Sequence, residues 1–192
     1  MKRLLNVGGN SKAIPLPSQY AGFEHLLLDI DPRVSPDILC DARELTTLAG
    51  SQFDAVYCSH NLEHYYRHDV PKVLAGILHV LKDGGFADIR VPDIGEAMRV
   101  SAERGLDPGD VLYETGAGPI TVLDVLYGYD AEIERSGQDF FSHKTGFTEK
   151  SLLATLHRAG FTKVFSRAGR FQVDALAFKG TPNQATRALL GI

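Results

Sequence analysis

The chain has 192 residues, 44% hydrophobic and 23% charged, with a formal net charge of −4, the make-up of one soluble domain long enough to bury a real core. No block of Lys and Arg exceeds a pair and no apolar run nears ~20 residues, so nucleic acid, an anionic membrane surface and a membrane span are not expected. Cys40 and Cys58 make neither a disulfide framework nor a C-x-x-C site, and Asn6 to Asn10 cut the first apolar stretch too short for a signal peptide, so free buried thiols in a reducing cytoplasm are expected.

Five short β-rich runs lead the chain: Leu4 to Val7 before Gly8-Gly9, His25 to Ile30, Pro36 to Cys40, Phe53 to Cys58, and Gly85 to Val91. Each is bounded by turn residues, as buried strands are. Between the fourth and fifth the spacing predicts a helix. Asp69 caps it, Pro71 suits its first turn, Asp83-Gly84-Gly85 ends it, and Val70, Val73, Leu74, Ile77, Leu78 and Leu81 form one stripe.

A long segment, about 94–147, fits the alternation least. Gly and Pro punctuate its first half, and "ITVLDVLYGYDAEI" is expected to add a helix. Its place after the fifth strand is where open α/β proteins carry substrate-binding elements, so it is expected to be a substrate-side insertion; a solvated excursion without chemistry is the alternative. A further helix is predicted from a Thr148 cap to Ala159, stopped by Gly160. Phe161 to Ser166 and Phe171 to Phe178 are strands separated only by Arg167 to Arg170, which permits a hairpin and no parallel crossover. Thr181 to Ile192 reads as a terminal extension of uncertain order. The expected fold is α/β: a doubly wound, mostly parallel seven-stranded Rossmann-like sheet with an antiparallel C-terminal strand and helices on both faces, in one domain over 1–192.

In such a sheet a ligand lies across the carboxyl ends of the strands. After the first strand come Gly8, Gly9 and Asn10, where glycine lets backbone approach a ligand closely. After the second come Asp29, Ile30 and Asp31, at the distance from a glycine turn where an acid accepts from ribose hydroxyls. After the third, Asp41 and Ala42 follow Cys40, and Asp41 is placed to accept from an adenine amino group. After the fourth come Ser59, His60 and Asn61.

The run "SHNLEHYYRHD" (59–69) contains His60-x-x-Glu63-His64, the inverted zinc-protease signature. That motif needs both histidines on one helical face, yet His60 directly follows an apolar strand, and the scattered acids Glu96, Glu103 and Glu114 offer no obvious third ligand. No metal is therefore expected.

The pieces "LLNVGGN" (4–10), "LLLDIDP" (26–32), "PDILCDARELTTL" (36–48), "FDAVYCSHNLEHY" (53–65), "VPKVLAGILHVLKDGGFADIRVPD" (70–93) and "FFSHKTGFTEKSLLATLHRAGF" (140–161) span nearly the whole chain. In that order they resemble the class I S-adenosylmethionine-dependent methyltransferases of the type-11 family, and more narrowly a subgroup with L-N-V-G and S-H-x-L-E-H motifs. The resemblance implies S-adenosyl-L-methionine as cofactor. Gly8, Gly9 and Asn10 would contact its methionine end, Asp29 its ribose, and Asp41 with Ala42 its adenine, with Ile30 also at the cofactor, while Ser59 and His60 close the site beneath the sulfonium. The chain departs from the family at Asn10, where a second glycine is usual, and carries Asn6 where most methyltransferases have an acid. Pro15 and Pro17 rule out a long helix straight after the glycine loop.

Methyl transfer from a sulfonium is an in-line displacement in which positioning supplies roughly 7–11 kcal/mol, and a base is needed only for a protonated, weakly acidic acceptor. His143 and His64 are the candidates to face the acceptor, with Tyr65 and Tyr113 as weaker ones; a structural histidine at the sheet rim fits His143 equally. The expected partner is a small-molecule or saccharide-type acceptor, with a homodimer left open. Three alternatives remain. They are a catalytically inactive binding or scaffold protein, motivated by Asn10, a zinc hydrolase using His60, Glu63 and His64, and an NAD-dependent dehydrogenase, for which the G-x-G-x-x-G opening a helix is missing.

Overall fold

The computed structural model describes residues 1–116 and 118–192; Ala117, inside the 94–147 segment, lies outside the described residues. The strands are β1 (Arg3–Val7), β2 (Glu24–Asp29), β3 (Ile38–Leu39), β4 (Phe53–Ser59), β5 (Leu81–Pro92), β6 (Val111–Thr115), β7 (Gly118–Thr121), β8 (Lys163–Gly169) and β9 (Gln172–Phe178). The α-helices are α1 (Val70–Val80), α2 (Ile94–Arg104), α3 (Val122–Tyr127), α4 (Asp130–Ser136), α5 (Glu149–Ala159) and α6 (Gln184–Leu190). Among the described residues seven strands form one sheet in the order β3-β2-β1-β4-β5-β9-β8, and β6-β7 form a separate hairpin. The β1–β5 pairings are parallel, while β9 runs antiparallel to both β5 and β8. The link between β8 and β9 is shorter than the four residues expected, only Arg170 and Phe171, and so short a link leaves no parallel course.

Both sheet faces carry apolar side chains, and a charged Arg90–Asp174–Arg167 strip crosses the second. Leu5, Val7, Val56, Cys58, Ile89 and Val173 point to one side, where α1 and α5 cover them. Leu4, Ala55, Phe86 and Phe178 point to the other, under Tyr20 and the C-terminal residues Leu190 and Ile192. Period-2 alternation therefore separates two apolar sets rather than an apolar and a wet one, as in any sheet covered twice. The terminal extension is thus a structural element: Asn183 caps α6 by accepting from the Thr186 N–H, and the helix closes the second face.

Several boundaries differ from those predicted. The first long helix stops at Val80, and β5 begins at Leu81 and passes through Asp83-Gly84-Gly85, because the register against β4 shifts between Phe53 and Ala55. Asp69 does not cap that helix through its side chain. Its backbone is already helical, and its carboxylate pairs with Lys72 at 2.7 Å and Arg43 at 3.5 Å. The stretch 36–40 contributes only two strand residues. "ITVLDVLYGYDAEI" breaks into α3 and α4 at Gly128, whose φ of +101° and 2.6 Å clearance to the Phe141 carbonyl exclude a side chain. The capped helix from Thr148 to Gly160 stands as predicted, with Ser151 completing a capping box.

One buried polar device lies on the second face. The Tyr20 hydroxyl donates to Asp88 Oδ2 at 2.9 Å, and Arg90 completes the charge balance at 3.1 Å. Burial first and Asp88 second push the Tyr20 phenol well above its ordinary range, so it remains a donor. Tyr20→Phe removes a hydrogen bond to a buried charged group and is expected to destabilise the protein by about 1.5–3 kcal/mol, read as a lower midpoint in urea denaturation with unchanged slope.

Candidate functional site

The carboxyl ends of β1, β2 and β4 open onto a cavity of about 350 Å³, within the range of small-molecule sites. Eight of the nine residues expected to meet a cofactor line it: Gly8, Gly9, Asn10, Asp29, Ile30, Asp41, Ser59 and His60. The ninth, Ala42, turns its side chain into the core below the floor.

The glycine loop is tight for two different reasons. Gly8 has φ +66°, and a Cβ there would stand 1.9 Å from Asn61 Nδ2; Gly9 needs no unusual φ, but a Cβ would stand 2.1 Å from Asn6 Nδ2. Asn10 takes φ +58°, the left-handed region that asparagine tolerates best among non-glycine residues. Its N–H donates to Asp29 Oδ2 at 3.1 Å, while Asp29 Oδ1 accepts from the Asp31 N–H at 3.0 Å. One carboxylate thus ties the β1 and β2 loops together and keeps lone pairs for a ligand hydroxyl.

The other acids are less free. Asp31 is chelated by Arg33, whose guanidinium holds its carboxyl below the usual range. Asp41 accepts from the Arg43 N–H and from Nε and Nη2 of the same side chain, and Arg43 reaches on to Asp69. An adenine amino group at Asp41 would have to share the carboxylate with Arg43 or move a guanidinium that is 45% exposed. Asn6, Asn61 and Arg43 also line the cavity and were not assigned cofactor contacts from sequence. Asn6 and Asn61 declare themselves only when the loop folds over them.

The histidine run does not form an α-helix. His60 sits at φ +49° after β4, and Leu62–His64 is a single 3-10 turn. The His60 ring contacts Gln172 Oε1 through Nε2 at 2.8 Å, and its Nδ1 lies 3.6 Å from Glu63 Oε1, beyond hydrogen-bond reach. The inverted zinc-protease geometry is therefore absent. In its place the fold brings His143, 80 residues on, to Glu63 and His64; one ligand atom from each lies within 4.8 Å of the others. No sequence spacing announced His143 as a third member.

Glu63 is 1% exposed, and neither carboxylate oxygen has a hydrogen-bond partner among the described residues. Burial pushes this carboxyl up, but His60, His64 and His143 together pull it further down, leaving it ionised. Burial, aided by the neighbouring histidines, holds the His143 imidazole below its ordinary value. Its Nδ1 faces the Val125 carbonyl at 3.0 Å, which assigns the proton there.

A second cavity of about 260 Å³ adjoins the first, sharing His60, His64 and Phe141 with it. His143, Tyr113, Tyr129 and Phe171 give it histidine and aromatic walls. Phe171 stacks on Tyr113 at 4.8 Å and 8°, and is held at the β8–β9 turn with φ +60°, an unusual conformation for a bulky residue. Glu96 anchors it by accepting from the Phe171 N–H at 2.6 Å. Tyr65 lines the first cavity and Tyr113 the second.

Residues 7–88, less than half of the chain, match the family model described as a methyltransferase domain. Among solved structures the chain is similar to a SAM-dependent methyltransferase from Archaeoglobus fulgidus, with TM-score 0.55 and 15% identity over 93% of this chain and 86% of that one. A methyltransferase from Methanosarcina mazei gives TM-score 0.57 and 13% identity over 94% and 93%. The 1,6-didemethyltoxoflavin-N1-methyltransferase of Burkholderia thailandensis, bound to 1,6-didemethyltoxoflavin and S-adenosylhomocysteine, gives 0.52 and 18% over 94% and 72%. Two further matched chains are longer, this one spanning 63% and 49% of them. No curated protein matches in sequence. The fold is that of the SAM-dependent methyltransferases.

Proposed function

We propose that the protein transfers a methyl group from S-adenosyl-L-methionine to a small-molecule or saccharide-type acceptor. The observation that carries this is the pairing of two adjoining cavities, one built on the glycine loop and Asp29, the other walled by histidines and aromatic rings. The cofactor's methionine end lies against Gly8, Gly9 and Asn10, and its ribose against Asp29 and Ile30. The adenine end reaches Asp41 and the backbone of Ala42, and Ser59 with His60 floors the sulfonium. The acceptor enters the second cavity, formed largely by the 94–147 insertion, which places His143 and His64 beside it and offers the flat Tyr113–Phe171 pair as a stacking wall. Planar rings and the apolar faces of sugars suit such a wall. The methyltransferase from Burkholderia thailandensis, described with a small acceptor and S-adenosylhomocysteine, is consistent with this reading.

The chemistry asks the chain mainly to align the acceptor atom behind the methyl group and to exclude water. The alternative of an inactive scaffold is motivated by Asn10; its left-handed backbone, which asparagine tolerates, and its hydrogen bond to Asp29 support cofactor binding instead. Among the described residues no helix is long and apolar enough to cross a membrane.

The test is direct. S-adenosylhomocysteine at about 100 times its dissociation constant is expected to stabilise the chain by roughly 2.7 kcal/mol, seen as a rise in melting temperature of about 5–10 °C for a chain of this size. No shift with either the cofactor or its demethylated product overturns the reading. A shift without turnover on any acceptor, followed as S-adenosylhomocysteine release, moves the protein to the scaffold class.

A further inference from the structure

We propose that Glu63, His64 and His143 form a binding site for one divalent transition-metal ion of the zinc type, set at the junction of the two cavities. The three side chains offer one carboxylate and two imidazoles whose ligand atoms lie within 4.8 Å of one another. That donor set, with one position left open, is one that catalytic zinc sites use.

Two further observations point to a cation. First, the Glu63 carboxylate is almost fully enclosed and makes no hydrogen bond among the described residues; its nearest imidazole nitrogens, His60 Nδ1 at 3.6 Å and His143 Nε2 at 3.9 Å, stand beyond hydrogen-bond reach, and a buried charge so loosely paired is costly unless it binds a metal. Second, the His143 Nδ1–H donates a hydrogen bond to the Val125 carbonyl, so its Nε2 lone pair is turned toward Glu63 Oε1, 3.9 Å away. Two acceptors facing each other repel, and the gap is too long for a hydrogen bond. It is near the ~3.4 Å that separates neighbouring ligands on a tetrahedral zinc with bonds of about 2.1 Å. The Nδ1–carbonyl contact is also the outer-shell hydrogen bond that orients metal-binding histidines.

His64 completes the set, its ring 5.1 Å from that of His143. Both its nitrogens stand 3.1 Å from carbonyl oxygens, those of Ser142 and His60. Ligation takes one nitrogen from its carbonyl and leaves the other as the orienting donor. The backbone holds the two segments in register: the N–H groups of Lys144 and Thr145 both donate to the Glu63 carbonyl, at 2.8 and 3.1 Å. Because His64 and His143 both line the second cavity, the open position faces a ligand there. A hydroxyl or carboxylate of the acceptor would fill it, a use that rests on the methyl-transfer reading; metal binding itself does not.

The experiment titrates the full, tag-free, chelator-treated chain with Zn2+ by calorimetry, and with Co2+ followed by its visible d–d absorption. One equivalent is expected, undisturbed by millimolar Mg2+, which prefers all-oxygen ligands. Glu63→Gln and His143→Gln should each weaken binding by roughly 100-fold or more, beyond the loss from an outer-shell change. His68→Ala, which removes a histidine that is 76% exposed and outside the group, should retain it. Circular dichroism reports folding, and His143→Asn at the rim, 11% exposed, serves if Glu63→Gln unfolds. Absence of a Zn2+ equivalent, or binding that survives both ligand variants, overturns the site and leaves the cluster as a buried Glu–His charge pair. The S-adenosylhomocysteine melting shift is read separately: a shift without zinc binding removes only the metal, and zinc binding without a shift removes only methyl transfer.

Discussion

Asp29→Ala is expected to weaken binding of S-adenosylhomocysteine by roughly 150-fold or more. Hydrogen bonds to a charged group contribute about 1.5–3 kcal/mol each, and a ribose offers two hydroxyls to this one carboxylate. The same substitution strips the Asn10 and Asp31 N–H groups of their acceptor, so the loops that shape the cavity lose their tie. Asp29→Asn separates the two effects. The amide retains one acceptor oxygen but turns an N–H2 toward one of the backbone donors, so partial folding rescue without binding rescue is expected. Calorimetric titration together with thermal melts checks both. Undiminished affinity in Asp29→Ala would remove Asp29 from the cofactor site while leaving its structural role intact.

Gly9→Ala should destabilise the protein by about 1–3 kcal/mol, as overpacking does, and reduce S-adenosylhomocysteine affinity at least tenfold. The added Cβ meets Asn6 Nδ2 at 2.1 Å, Cγ at 2.5 Å and Oδ1 at 2.6 Å, all atoms that alanine lacks. Asn6→Ala in the same chain should therefore restore most of the lost stability, giving a coupling of about 0.5–3 kcal/mol in a double-mutant cycle. Additive losses would place the requirement for glycine in the ligand contact rather than in the Asn6 contact. Gly8 gives no such rescue, since its φ of +66° penalises any side chain.

Much of this was legible before folding was considered. The order of apolar runs, their glycine and aspartate endings, and the four-residue link between the last two strands predicted the sheet, its antiparallel strand and the cavity-lining residues Gly8 to Asn10, Asp29 and His60. Those signals are local: a strand end, a turn residue and a short link act within a few positions of chain. Element ends were less legible, because β5 is lengthened by pairing with β4 and β9 rather than by its own propensity. The break between α3 and α4 turns on Gly128 lying against the Phe141 carbonyl, a contact across 13 residues.

The sequence by itself determined the sheet class and the side of it on which the cavity lies, since periodicity and strand-end chemistry are written in near neighbours. Only the tertiary structure decided what the histidine run became. His60 parted from it to meet Gln172, Asp69 kept the cap position but gave its carboxylate to ion pairs, and His143 arrived from the far side of the insertion to face Glu63. Motif spacing records proximity along the chain, whereas a binding site is a matter of which lone pairs converge in space. In this protein the loops and the hairpin turn after β8 set that convergence.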